Sequence, residues 1–233
     1  MKMLFLNNMG DKLWPARLDK LFQKNGFDVE LFWANHNQFP DHVEQYDCVF
    51  LSGSVNSPND NLEWIIKEHQ LIHKIVKNNT PILGSCFGSQ ILATALCGSD
   101  QVFRRETCEV GYVNIEISHS GSQEPVLKGI GKEVRMFVWH NDEVKASHPD
   151  MVILGSSATC PNHIWRYKDK PIWGIQGHPE LNREQVILTY QIYREYFEKD
   201  GADIQELAEQ KGNNIEGKKL ISNFMDYCSS YIN

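Results

Sequence analysis

Pro81-Ile82-Leu83-Gly84-Ser85-Cys86-Phe87-Gly88-Ser89-Gln90 passes from a short apolar run, through a glycine-flanked turn, into a helical pattern. A buried strand that feeds a helix through so short a turn is a building unit of an α/β sheet. Glycines stand two residues before and two after Cys86. This is the spacing of a strand-to-helix elbow, whose small neighbours let a tight turn pack closely. Such an elbow would lift the Cys86 sulfur out of the sheet and set it at a helix N-terminus, where the dipole favours thiolate over thiol. The amide of Phe87 would then be placed to donate to an oxyanion. The competing reading is a buried cysteine on a tight turn, since free cysteine often serves as a small hydrophobe.

Outward from this junction, apolar runs and helical patterns alternate. Met3 to Leu6, Phe27 to Phe32 and Cys48 to Leu51 read as strands. Ala16 to Gln23 reads as a helix closed by Asn25-Gly26, and Asn61 to Lys77 as a second with Leu62, Ile65, Ile66, Ile72, Ile75 and Val76 on an approximate apolar face. Ile91 to Leu96 supplies a third. The alternation predicts a mostly parallel sheet covered by helices on both faces. Farther on, Val113 to Ile117, Val134 to Trp139, Val152 to Leu154, Ile164 to Tyr167 and Ile172 to Ile175 read as strands, some pairing antiparallel at a sheet edge. After Glu180 the pattern is helical again, through Val186, Ile187, Tyr190, Tyr193 and Phe197. A last amphipathic helix is expected over Glu216 to Tyr227, beyond the link Gly212-Asn213-Asn214. The organisation expected is one domain over residues 1–200, with a helical extension, 201–233, packed on it.

Composition narrows the function classes. The chain has 233 residues, 41% hydrophobic and 23% charged, which is enough to bury a core without a disulfide or metal staple. The formal net charge is −7 and basic residues come only in isolated pairs, which argues against a nucleic-acid partner. Six cysteines are scattered without a C-x-x-C pair, a pattern that fits neither a zinc site nor a dense disulfide scaffold. No stretch has signal-peptide or transmembrane character, and the expected location is the cytoplasm. His69 and His73, four apart on one helix, read as a solvated face because nothing is placed to complete a metal site. Gly129-Ile130-Gly131-Lys132 lacks P-loop spacing. Neither a cofactor nor a metal is expected.

A base for Cys86 is supplied by Trp173-Gly174-Ile175-Gln176-Gly177-His178-Pro179-Glu180, which follows a strand. In extended backbone, residues i and i+2 point the same way, so His178 and Glu180 should lie side by side. Pro179 holds His178 in the extended region. A carboxylate beside an imidazole sets its tautomer and stabilises the imidazolium formed when the histidine takes a thiol proton. Cys86, His178 and Glu180 are therefore the candidate catalytic triad.

At these residues the sequence resembles the class I (triad) glutamine amidotransferases, particularly the amidotransferase domain of GMP synthases and their stand-alone relatives. Gly84 to Gln90 matches the family's nucleophile motif and Gly177-His178-Pro179-Glu180 its base motif. Arg105-Glu106 with Glu109-Val110-Gly111-Tyr112 is similar to its glutamine-holding segment, and Trp139 to Val144 to its histidine-aspartate loop. The resemblance runs from about Lys2 to about Tyr196. It implies that Gln90, Glu109, Gly111 and Tyr112 hold the substrate's amino-acid end. It also implies that Gly53 or Ser54 gives the second oxyanion amide beside Phe87. Here the chain has Gly53-Ser54-Val55 where GMP synthases have Gly-Gly-Pro, and a side chain at Ser54 would make a positive φ costlier. Ser-Gly-Ser at this place also resembles the γ-glutamyl peptidases.

The fold expected is thus α/β: a flavodoxin-like, open twisted, mostly parallel sheet with helices on both faces and an antiparallel edge extension. The function expected is a cysteine-dependent glutamine amidotransferase that hydrolyses the γ-carboxamide through a thioester and passes ammonia to a synthetase encoded separately. The alternatives are a γ-glutamyl peptidase, with the same chemistry on a peptide and no ammonia partner, and a non-catalytic binding protein that kept the fold. The expected ligand is a small molecule, glutamine or a γ-glutamyl compound, and no membrane is involved.

Overall fold

The computed structural model describes residues 1–10, 22–199, 201–210, 212 and 214–231. Most of the helix expected over Ala16 to Gln23 lies outside the described residues. Nine strands form one sheet: β1 (Lys2–Asn7), β2 (Asp28–Trp33), β3 (Cys48–Leu51), β4 (Ile82–Ser85), β5 (Val102–Ile117), β6 (Glu133–Val144), β7 (Met151–Ser156), β8 (Ile164–Tyr167) and β9 (Ile172–Ile175), in the order β2-β1-β3-β4-β9-β8-β7-β5-β6. The half from β2 to β9 is parallel, and every pairing beyond β9 is antiparallel. The central strands Cys48–Leu51, Ile82–Ser85 and Ile172–Ile175 are buried at every position, as parallel strands covered on both faces must be.

Successive side chains on β1 and β3 divide between two cores. Leu4, Leu6, Val49 and Leu51 pack with α1 (Glu63–Lys77) and α2 (Phe87–Cys97), where Trp64 and Phe87 meet at 5.4 Å between ring centroids. Met3, Phe5, Cys48 and Phe50 face the other way, with α3 (Arg183–Ile192), α4 (Arg194–Lys199), α5 (Ile204–Glu209) and α6 (Ile215–Tyr231). On that side Trp173 sits 6.1 Å from Phe224 and 5.1 Å from Tyr227, so α6 is stitched to the middle of the sheet. No helix among the described residues is long and apolar enough to cross a membrane.

The antiparallel part is larger than the sequence pattern suggests. Strands expected to begin at Val113 and end at Trp139 instead run from Val102 and to Val144, paired over most of their length. The added stretch is polar and shows no alternation, and cross-strand charge pairing holds it together: Arg104 lies opposite Asp142 and bonds it at 3.3 Å, and Arg105 bonds Glu143. Trp139 to Val144, similar to a loop segment by its motif, is therefore strand. The short α5 is a further element that the sequence pattern does not announce. Its N-cap is Asp203, whose side chain accepts from Gln205 and Glu206 amides.

Phe224 is fully buried against the sheet. Phe224→Ala should cost about 3–5 kcal/mol of unfolding free energy in urea, the usual range for emptying such a site. A loss under about 1 kcal/mol would mean that α6 is not part of the core.

Candidate active site

Parallel register brings three loops to one edge of the sheet. Leu51 pairs with Gly84, and Ser85 with Ile175, so the chain leaves β3, β4 and β9 side by side. These exits are Ser52-Gly53-Ser54, Cys86 and Gln176-Gly177-His178. The carboxyl ends of parallel strands are where open α/β sheets place their sites.

Cys86 joins β4 to α2 with φ +52° and ψ −110°. The other described non-glycine residues at positive φ are Asn37, Asn79, Asn214 and Lys168. A cysteine has no local side-chain bond to favour that conformation, which costs on the order of 1–3 kcal/mol. Its surroundings impose it. The Cys86 amide donates to the Ile175 carbonyl at 2.8 Å, and its carbonyl accepts from Gln90 at 3.1 Å. A Cβ at Gly84 would come within 2.4 Å of the Gly88 carbonyl oxygen, and one at Gly88 within 2.3 Å of the Leu51 oxygen. Both glycines are thus required by close backbone approach.

His178 is fixed from four sides. Its amide donates to the Phe137 carbonyl at 2.8 Å, its carbonyl accepts from Asn214 Nδ2 at 2.8 Å, and Nδ1 lies 2.9 Å from Glu180 Oε1. The other Glu180 oxygen accepts from Ser85 Oγ at 2.9 Å. Gly53 closes the fourth side, where a Cβ would approach His178 Cε1 to 3.0 Å. Burial disfavours the imidazolium, but the charges available on Glu180 and Cys86 outweigh it and raise the His178 pKa to about 10. Just past Glu180, Asn182 and Gln185 form a reciprocal capping box that starts α3 and fixes the exit of the loop.

Cys86 and His178 open on a cavity of about 150 Å³. The Cys86 thiol, itself buried, donates to the Trp139 carbonyl at 3.5 Å. Ser54, Gln90, Arg104, Asp142 and Lys199 also line the cavity, so cationic and anionic groups share its wall. Gln90 Nε2 donates to the Asp142 carbonyl at 2.8 Å. Neither Gly53 nor Ser54 has a positive φ, so the loop avoids the strain expected at Ser54. Beneath it lies a group that no motif in the sequence flags. The Asn8 amide donates to Ser52 Oγ at 2.9 Å and its side chain to buried Glu68 at 3.1 Å, and burial raises the Glu68 pKa to about 8 despite that bond.

Three residues expected to hold the substrate are not among those lining this cavity. Glu109 is turned away from the cavity wall onto His140, Nε2 to Oε2 2.7 Å, and accepts from Thr159. Gly111, at φ +118°, faces the Gln210 side chain, where a Cβ would meet Oε1 at 2.6 Å. The Tyr112 amide donates to the same Gln210 oxygen at 2.8 Å, and its ring lies in the core beside Phe137. The sequence contains no cue to these contacts, because Gln210 is nearly a hundred positions away. His140 does reach the cavity, and the Cys-x-x-His spacing at Cys160 and His163 is the overlooked signal for a cluster behind it.

A family model for glutamine amidotransferase class-I matches residues 15–186. The chain is 34% identical over 139 residues to a subunit of glutamine-hydrolyzing GMP synthase from Pyrococcus abyssi, covering 60% of this chain and 71% of that protein. It is 27% identical over 218 residues to gamma-glutamyl peptidase 3 of Arabidopsis thaliana, 88% of this chain and 85% of the relative. In structure it is similar to a glutamine amidotransferase of Thermotoga maritima, with a TM-score of 0.82 over 98% of this chain and 97% of the other. At 20% identity that likeness speaks for the fold alone.

The raised His178 pKa has a stability consequence with a definite sign. The stabilisation from its charged form is complete below the unfolded value of about 6.5 and is lost as pH rises through about 10. Glu180→Gln removes one of the charges responsible, so His178 should deprotonate at lower pH and the alkaline loss of stability should start earlier. Imidazole NMR titration, run beside urea unfolding across the alkaline range, checks this. An unmoved His178 titration would mean that Glu180 does not set its charge.

Proposed function

The chain belongs to the class-I glutamine amidotransferase family, and we propose that it hydrolyses the γ-carboxamide of glutamine and hands ammonia to a synthetase encoded separately. The observation that carries this reading is the Cys86 elbow, held at positive φ and opening on the same small cavity as a buried His178–Glu180 pair. A merely structural cysteine has no use for that strain.

In the proposed reaction, the Cys86 thiolate attacks the carboxamide carbon while its proton resides on His178. The tetrahedral oxyanion takes hydrogen bonds from the Phe87 amide, at the start of α2, and from the amide of Gly53 or Ser54. His178 then protonates the departing nitrogen, and ammonia leaves behind a γ-glutamyl thioester. Water gives a proton to His178 and attacks the thioester, releasing glutamate and regenerating Cys86. Glu180 orients the imidazole and stabilises its charged form throughout. Gln90, with Arg104, Lys199 and Asp142 around it, suits the substrate's α-carboxylate and α-ammonium, oppositely charged groups attached to the same carbon. The Pyrococcus abyssi relative is one subunit of a GMP synthase, which supports a partner synthetase acting in trans.

A γ-glutamyl peptidase is the second reading. It is favoured by the likeness to the Arabidopsis peptidase across 88% of this chain and by Ser52-Gly53-Ser54 in the oxyanion loop. Both readings use the same three side chains and differ in the leaving group, ammonia or an amine bearing a peptide.

Cys86→Ala should fold normally and lose at least about a thousandfold in kcat, since removing a covalent nucleophile costs at least that much. The isolated wild-type protein should show weak glutaminase activity that rises when the cognate synthetase is added, with poor turnover of γ-glutamyl dipeptides. Side-by-side kcat/KM values for glutamine and a γ-glutamyl dipeptide decide between the readings. A dipeptide value about tenfold higher, about 1.4 kcal/mol in transition-state binding, would favour the peptidase.

A further inference from the structure

Behind the Cys86 cavity, four buried side chains from separate parts of the chain converge. Glu109 comes from β5, His140 from β6, and Cys160 and His163 from the turn between β7 and β8. Each offers one ligand atom, and these atoms all lie within 4.8 Å of one another. We propose that they form a binding site for one zinc ion, or a divalent transition metal of similar character, which ties the β7–β8 turn to the strands behind the catalytic cavity.

The hydrogen bonding at the cluster calls for a cation. His140 Nδ1 lies 3.0 Å from the Asp142 carbonyl oxygen, and Nε2 lies 2.7 Å from Glu109 Oε2. Both facing atoms are acceptors, and a neutral imidazole has only one N–H to give. A metal ion between Nε2 and the Glu109 carboxylate would satisfy both. The Nδ1–H bond to a backbone carbonyl is the arrangement that orients a histidine with Nε2 free to ligate. His163 Nε2 lies 3.0 Å from Ser157 Oγ and 3.6 Å from the same Glu109 oxygen, and its fully buried Nδ1 has no hydrogen-bond partner among the described residues. Ordinary hydrogen bonding therefore leaves this imidazole half-used.

Donor type and charge select the metal class. One thiolate, one carboxylate and two neutral imidazoles carry two negative charges, which a divalent cation cancels in a place where uncompensated charge is costly. Sulfur and nitrogen donors suit zinc and disfavour calcium or magnesium, and four such ligands make a closed tetrahedral site of the structural kind. Cys160 and His163 are three apart on one turn, a spacing that lets a short loop chelate. Seating zinc at ligand distances of about 2.0–2.3 Å requires the separated ligands, within 4.8 Å of one another, to draw in and the His140–Glu109 pair, 2.7 Å apart, to open so that the ion lies between them. His140 borders the cavity.

The site adjoins the proposed catalytic residues without including them. Trp139, next to His140, takes the Cys86 hydrogen bond, and the His163 carbonyl accepts from the Gln176 amide at 2.7 Å, two residues before His178. A metal here braces both chains that approach the cavity.

The test uses full-length protein purified without chelators or metal-affinity resin. Elemental analysis should find about one zinc per chain, as expected of a closed structural site. Replacement by cobalt should give a thiolate-to-cobalt charge-transfer band. That band should persist in Cys86→Ala and vanish in Cys160→Ser, and zinc affinity should fall at least about tenfold in His163→Gln. Far-UV circular dichroism establishes that each variant is folded, and His163→Gln carries the test if Cys160→Ser is not. Metal-free protein that takes up neither zinc nor cobalt overturns the proposal. So does a cobalt band lost in Cys86→Ala but kept in Cys160→Ser, which would place the metal on the cavity thiol instead.

Discussion

The left-handed backbone at Cys86 is the constraint around which the rest of the sheet edge is arranged. It bends the chain from β4 into α2 within one residue, and that bend aims the thiol at the cavity rather than into either core. The conformation is uphill for a β-carbon-bearing residue, so it persists only because its neighbours leave no alternative. The Ile175 carbonyl holds the amide from β9, and Gly84 and Gly88 let the start of α2 press against β4 and the end of β3. The same contacts that force the strain also draw β3, β4 and β9 into register, so the geometry of the turn and that of the site share one origin.

Electrostatics at the edge follows from burial. His178 and Glu180 are almost wholly removed from water, and each polar atom there must be answered by the protein. Glu180 turns one oxygen to the imidazole and the other to the Ser85 hydroxyl, which sits next to Cys86 in the chain. The carboxylate therefore bridges the strand that bears the thiol and the strand that bears the histidine. In so dry a place its charge acts at short range with little screening, which is why Glu180 and Cys86 together overcome the desolvation of His178.

Strand β6 works as a rail beside the cavity. Its backbone carbonyls at Trp139 and Asp142 accept from Cys86 and Gln90, while the side chain of His140 between them points to Glu109. Arg104 and Arg105 on β5 pair with Asp142 and Glu143 and keep this polar stretch in the sheet. One rail thus serves the cavity with its main chain and the His-Cys-Glu cluster with its side chains. A shift of β6 would be felt at both places.

The elements that local chemistry specifies were legible in the sequence. Cys48–Leu51 and Ile172–Ile175 were readable to the residue because short, wholly buried runs without a charged residue admit few other fates. The glycine spacing around Cys86 and the alternation of His178 and Glu180 about Pro179 pointed to those side chains for the same reason, since steric and rotational rules act over a few residues. What the tertiary structure alone decided is where residues far apart in the chain meet. The polar half of β5 is a strand because β6 supplies its charges, and Gly111 and Tyr112 answer to Gln210. Glu109 turns to His140, and Cys160 and His163 join them, because antiparallel pairing folds the turn between β7 and β8 over β5 and β6. Periodicity reports the face on which a side chain lies, whereas its partner across the sheet depends on strand order, which no local pattern encodes.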